Sequence, residues 1–315
     1  MRKSSGAPAS AGALVLALAL LAGCAAQQVQ ELDARPPPGL PERVELTATP
    51  FFPQKEYQCG PAALATALVQ AGVDATPQAL VPEVYVPDRR GSLQAEMLAA
   101  TRRHGLIAYV LAPRLEALLR EVAAGTPVVI LQNLSLPIWP MWHYAVVIGY
   151  DRLNDEVILR SGTERRQMMS LTVFEHTWAR SGHWAMVALP PGKLPVGAEE
   201  DAYVQAAIDL ERVDPAAARR AYAGALERWP HDLLARLGLG NTAYAARDLP
   251  DAEAAYRRAI ADRPDSADAW NNLAQTLLER GQRAQALAAA ERAVELGGPR
   301  VGEYRATLEE IEAAR

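Results

Sequence analysis

The chain has two cysteines, Cys24 and Cys59, and Cys59 has neighbours suited to thiol chemistry. It stands in Phe51-Phe52-Pro53-Gln54-Lys55-Glu56-Tyr57-Gln58-Cys59-Gly60-Pro61-Ala62-Ala63-Leu64. Leu64 and Leu68 share a helical face and Gly72 closes it, so a helix is expected from Pro61, a favoured first helical residue, to Ala71. A sulfur just ahead of that helix faces unpaired N–H groups and the positive end of the dipole, which favour the thiolate. Gly60 lets the chain turn and leaves room for a substrate. Gln54 can donate to an oxyanion beside the N–H of Cys59, with Gln58 as a second, poorer candidate. His143 heads the apolar run Tyr144-Ala145-Val146-Val147-Ile148-Gly149-Tyr150. An imidazole held there can take the thiol proton and return it to a leaving amine. Alone, either residue reads as packing; together they point to a nucleophile and its base.

These residues need helices and a sheet to hold them. Ser92 is a plausible N-cap for a helix carrying Leu93 and Met97 and ending near Gly105, and Leu115, Leu118, Leu119 and Val122 have helical spacing up to Gly125. Strands are expected at 128–131, 144–150, 157–159 and 184–189, with a weak one at 44–49. Helices first and sheet after give an α+β order over 44–189.

The N-terminus reads as an export signal. Arg2 and Lys3 precede an apolar stretch from Ala11 to Ala22, 12 residues long and too short to span a bilayer. Leu21-Ala22-Gly23-Cys24 resembles the lipobox of bacterial lipoproteins, which implies that residues 1–23 are a signal peptide and that Cys24 becomes the lipidated N-terminus. Ala25 after the cysteine implies an outer-membrane anchor facing the periplasm. Residues 24–43, polar and then Pro36-Pro37-Pro38-Gly39, are expected to be a tether. Lipidation of Cys24 leaves Cys59 as a lone thiol in an oxidising compartment.

Past Leu189 the composition changes. A proline-rich linker, 190–198, is expected to let the C-terminal region move or be separated from the first domain. Residues 199–315 then repeat at an interval of 34: Ala218, Ala252 and Ala286; Tyr222, Tyr256 and Ala290; Ala225, Ala259 and Ala293; Pro230, Pro264 and Gly298. That is the tetratricopeptide period, about three units with a capping helix carrying Tyr304, Leu308 and Ile311. Leu239 and Gly240, and Trp270, Leu273 and Ala274, fit the first-helix pattern; Gln205 and Ala206 of the first unit fit it poorly.

Together, Cys59-Gly60-Pro61-Ala62-Ala63-Leu64 and His143-Tyr144-Ala145-Val146-Val147-Ile148-Gly149 resemble the peptidases that cleave bacteriocin leaders after a double glycine, over roughly 46–189. Gly91-Ser92-Leu93 also resembles a helix start of that family. The resemblance implies a papain-like fold, with the cysteine helix packed on an antiparallel sheet that holds the histidine. Two positions depart from the family pattern. The family glutamine place, six residues before the cysteine, holds Pro53, and Gln54 is five before. The family aspartate place, after the next strand, holds Ser161, which can orient an imidazole but carries no charge; Asp151 and Asp155 are alternatives, expected in a hairpin.

The expected function is cysteine peptidase action on an exported or membrane protein, with the repeats docking that substrate or a protein partner. The alternatives are a non-catalytic binding lipoprotein and papain-like amide transfer. Neither a cofactor nor a metal is expected. His104, His176, His183 and His231 are scattered without ligand spacing, and there is no Gly-x-x-x-x-Gly-Lys-Ser/Thr loop for a nucleotide. A net charge of -5 with no basic face speaks against nucleic acid.

Overall fold

The computed structural model describes residues 26–54 and 57–314. The signal segment and Cys24 lie outside these. Seven strands form one antiparallel sheet in the order β4 (Ile107–Val110), β9 (Ala185–Leu189), β5 (Val128–Asn133), β6 (Trp142–Asp151), β7 (Glu156–Ser161), β8 (Glu164–Ser170); β1 (Arg43–Glu45) pairs the far half of β6, beyond β5. A bulge at Ile148 in β6 switches the alternation. Ala145 and Val147 face one side and Val146 and Ile148 the other, yet Tyr150 joins the first.

Helices cover both faces. On one lie α2 (Cys59–Gln70), α3 (Pro77–Val84) and α4 (Gln94–Arg103), around Leu64, Leu68, Leu80 and Met97. The short hairpin of β2 (Tyr85–Val86) and β3 (Gly91–Ser92) links α3 to α4. On the other face lie α1 (Gln27–Ala34), α5 (Leu115–Ala123) and α6 (Leu171–Ala179), around Leu118, Val122, Phe174 and Trp178.

The tether expected at 24–43 is not one over its described part. Val29 and Leu32 of α1 are buried, and the carboxylate of Glu175 on α6 accepts the N–H groups of Gln28 and Val29 at 3.0 and 2.9 Å. That satisfies two orphan donors of the first turn and places negative charge at the positive helix end. Two short apolar contacts in a polar stretch gave a weak sequence signal.

Seven helices come after the sheet: α7 (Glu200–Glu211), α8 (Pro215–Arg228), α9 (Leu233–Ala245), α10 (Leu249–Asp262), α11 (Ala267–Glu279), α12 (Arg283–Leu296) and α13 (Val301–Ala313). Successive pairs pack through small residues. A Cβ on Gly238 or Gly240 would stand 2.4 or 2.5 Å from the ring of Tyr222 or Tyr256. The capping helix buries Tyr304 and Ile311.

The linker is not free to move as expected. Glu121 of α5 accepts the N–H of Val196, and Tyr109 of β4 accepts that of Glu199 at 3.1 Å. Gly192 runs so close to α8 that a Cβ on Gly224 would lie 2.5 Å from its backbone. Tyr203, Val204, Ala207 and Leu210 of α7 belong to the same apolar core as Ile107 and Tyr109 of β4. This explains the poor fit of the first repeat unit, since its first helix packs on a strand rather than on a preceding repeat.

Residues 44–191 expressed alone would lose α1 and all helices from α7 on and expose part of that face, where each buried Val or Leu is worth about 1.5–3 kcal/mol. The fragment is expected to be insoluble or to unfold well below the parent in thermal melts; a soluble fragment with the parental midpoint would contradict the shared core.

Candidate active site

The site forms where the β6–β7 ladder stops. The last pair on that side is Val146 with Arg160, so continued pairing would set Tyr144 opposite Gly162. Instead Gln54 fills the gap. Its backbone N–H donates to the Gly162 carbonyl at 2.9 Å, and its side-chain Nε2 donates to the Tyr144 carbonyl at 3.4 Å. Buried Arg160 steadies the approach to Gln54 by donating to the carbonyls of Thr47 and Thr49.

Cys59 reaches the same edge from α2. The helix begins at Cys59, two residues earlier than expected, with Gln58 as N-cap and Pro61 as its third residue. Proline is tolerated there because first-turn N–H groups have no partner inside the helix. The sulfur is therefore within the first turn, close to the backbone of Tyr144, Gly60 and Cys59 itself, which together draw its pKa down. Burial is the larger influence, and the thiol ends above its ordinary value. The thiolate expected from the helix start alone is not favoured, because the desolvating neighbours, Tyr144 and the α2–sheet core, come from segments distant in sequence.

Gly60 also has a different purpose from the one expected. It is helical, and a Cβ on it would lie 2.2 Å from Ser92 Oγ and 2.5 Å from Ser92 Cβ. The space belongs to β3, not to a substrate. Ser92 does not cap α4, whose N-cap is Leu93; it pairs with Tyr85, and its carbonyl accepts the Tyr144 hydroxyl at 3.3 Å.

His143 is directly before Tyr144, opposite Gln132 of β5. Its Nε2 lies 2.9 Å from Ser161 Oγ at the end of β7, and burial holds the imidazole below its ordinary pKa. Asp151 and Asp155 are at the other end of β6 and β7. Asp151 accepts N–H groups of Leu153 and Asn154 in the hairpin, and eight residues of strand, roughly 26 Å, separate it from His143. Sequence reasoning missed the Tyr144 backbone, which receives both Cys59 and Gln54; only its place after the histidine hinted at it. Among the described residues no group of three or more His, Cys, Asp or Glu side chains is placed to hold a metal ion.

Residues 46–186 match the model of the Peptidase_C39 like family, and residues 203–259 and 237–301 match that of the Tetratricopeptide repeat. Among solved structures the chain is similar to a C39-like peptidase from Bacillus anthracis, with 21% identity over 47% of this chain and 98% of that one and a TM-score of 0.41. It is also similar to MamA (18% identity, 36% and 66% covered, TM-score 0.34) and to the TPR2B domain of yeast Sti1, solved in a complex with pHsp70 (18% identity, 37% and 95% covered, TM-score 0.34). No curated protein matches the chain.

The two burial shifts set opposite edges on stability. The unfolded chain protonates His143 near 6.5 while the folded chain resists, so the stability contributed by neutral His143 is complete above about 6.5 and is lost as pH falls from there. The unfolded chain ionises Cys59 near 8.5 while the folded chain keeps its proton, so that contribution is complete below about 8.5 and is lost as pH rises. In urea melts against pH, His143→Gln should flatten only the acid edge relative to the parent and Cys59→Ala only the alkaline edge. Unchanged edges would mean that neither group is desolvated.

Proposed function

With a C39-like peptidase domain at residues 46–186 and tetratricopeptide repeats after it, we propose that the chain is a cysteine peptidase of the bacterial cell envelope, anchored through a lipid on Cys24. Its substrate in this reading is an exported or membrane-bound polypeptide. The observation that carries the reading is that Cys59 in the first turn of α2 and the Gln54 amide both meet the backbone of Tyr144, the residue after His143, whose ring meets Ser161.

With the ring proton on Nε2, donated to Ser161 Oγ, His143 keeps Nδ1 as its basic nitrogen. Nδ1 takes the thiol proton as Sγ bonds to the peptide carbonyl carbon. The oxyanion so formed meets the N–H of Cys59 and the second amide hydrogen of Gln54, whose first is held by the Tyr144 carbonyl. The imidazolium then protonates the leaving amine as the C–N bond breaks, and a thioester remains on Cys59. Water, losing its proton to His143, attacks the thioester; the carboxylic acid leaves and the thiol is restored. Ser161 orients the ring without adding charge. A thiolate formed during attack stabilises the imidazolium, so a neutral partner is tolerated. The repeats present stacked helices suited to an extended polypeptide or a partner's tail.

A non-catalytic reading draws on the uncharged Ser161 and on the burial that disfavours the charged forms of both Cys59 and His143; papain-like amide transfer would use the same thioester. A thiol-reactive peptide probe separates binding from chemistry. Cys59 should label and Cys59→Ala should not; an unlabelled parent supports the binding module. Ser161→Ala removes one neutral hydrogen bond and should lower kcat/KM by roughly 2- to 10-fold in peptide cleavage, the equivalent of about 0.5–1.5 kcal/mol. A loss of several orders of magnitude would show that Ser161 does more than orient the ring. Cys24→Ser should leave the protein unprocessed or in the soluble fraction, and wild-type fractionation of that variant would rule out the lipid anchor.

A further inference from the structure

The loop between β5 and β6 carries an apolar surface that the proposed chemistry does not use. Residues 134–142, Leu-Ser-Leu-Pro-Ile-Trp-Pro-Met-Trp, contain no charged residue. Leu134, Leu136, Ile138, Trp139, Met141 and Trp142 are all exposed, Ile138 by 78% and Trp139 by 79%. Adjacent apolar side chains so far out of the core are unusual on a surface that meets only water.

The loop is firmly held. Leu134 donates to the Met141 carbonyl at 2.9 Å and Trp139 to the Leu136 carbonyl at 3.0 Å. Asn133 Oδ1 accepts the N–H groups of Ser135 and Met141 at 3.1 and 2.9 Å. Arg180, at the end of α6, donates to the carbonyls of Asn133 and Ser135 at 2.9 and 2.8 Å. Pro137 and Pro140 have no N–H to satisfy. Backbone polarity is thus met at the base of the loop while the side chains project from it, an arrangement that presents tryptophan and aliphatic groups to a medium polar on one side and apolar on the other.

The first described residues supply a second observation. Ala26, two residues after Cys24, is buried on the domain, and the next turn is fixed to Glu175 of α6. Five residues further along α6, about 7.5 Å of helix rise, Arg180 grips the loop. The first described residues are therefore fixed to the same helix that clamps the loop.

We propose that residues 134–142 are a membrane seat whose tip, Ile138 and Trp139, enters the interfacial region of a phospholipid bilayer. The orientation part of the proposal rests on the lipid anchor at Cys24. A lipid on Cys24 fixes one point of the domain; the loop supplies a second contact and sets the orientation. Because Trp142 adjoins His143, the seat holds His143 near the bilayer surface, and the substrates within reach are the membrane-proximal segments of lipid-anchored or membrane-spanning polypeptides.

The test uses residues 26–315, which keep every described element and lack Cys24, so that its failure bears on the loop and not on lipidation. The protein is sedimented with vesicles of phosphatidylethanolamine and phosphatidylglycerol. Wild type should partition to the vesicles, and Ile138→Ser with Trp139→Ser should lower the partition coefficient at least about tenfold with an unchanged melting midpoint, since both side chains are in solvent. Leu153→Ser, equally apolar and exposed at the opposite end of β6, should leave partition unchanged. Absence of vesicle binding, equal binding by the double variant, or an equal loss in Leu153→Ser would each overturn the seat. Binding of a soluble apolar peptide with no binding of vesicles would also overturn it and make the loop a lip for substrate.

Discussion

The site depends on the early end of one ladder. Between Val146 and the start of β6 the strand has no β7 partner, so Tyr144, paired with Leu131 of β5 on one side, has no strand on the other. Buried backbone groups need partners. Here the carbonyl takes the Gln54 amide, and the same edge receives the first turn of α2 with Cys59. Gln54 in turn holds Gly162, next to Ser161, so one inserted residue fixes the separation between the thiol side and the imidazole side. Gly60 permits the approach, because β3 packs where a side chain would otherwise be.

The same sheet also organises the repeats. Its second face is covered partly by α1 and partly by α7, so the chain before the peptidase domain and the chain after it finish one core. The repeat array consequently has its first helix fixed to β4, with Arg102 and Asp209 paired across the junction at 3.1 Å and Tyr109 packed on Tyr203. A partner bound by the later repeats would be held at a set position relative to the sheet, which a flexible linker could not provide.

Much of this was legible in the sequence because it rests on local pattern. The 34-residue interval located the repeat helices, and the apolar runs at 128–131, 144–150, 157–159 and 184–189 found four strands to within a few residues. What escaped depends on distant partners. β8, whose residues 164–170 open with four long polar side chains, Glu164 to Gln167, is a strand because β7 pairs with it. α1 is ordered by Glu175, nearly 150 residues away in sequence. Ser92 resembled a cap and became a strand residue above Gly60. An amide donor at Gln54 could be expected from residue type, but its bridge between Tyr144 and Gly162 could not. The direction of the Cys59 pKa shift reversed for the same reason: the helix start is local, whereas the burial that outweighs it is assembled from the whole domain.

Burial thus disfavours the charged form of both groups, raising the Cys59 thiol and lowering the His143 imidazole from their ordinary values, so the proposed chemistry starts from a neutral resting pair. Ultraviolet titration of the thiolate in the resting protein tests this most directly, with Cys59→Ala as the blank. The expected result is a single ionisation above the free-cysteine value of about 8.5, with little change in His143→Ala. A midpoint well below that value which moves upward in His143→Ala would show a preformed thiolate–imidazolium pair and contradict the neutral resting state.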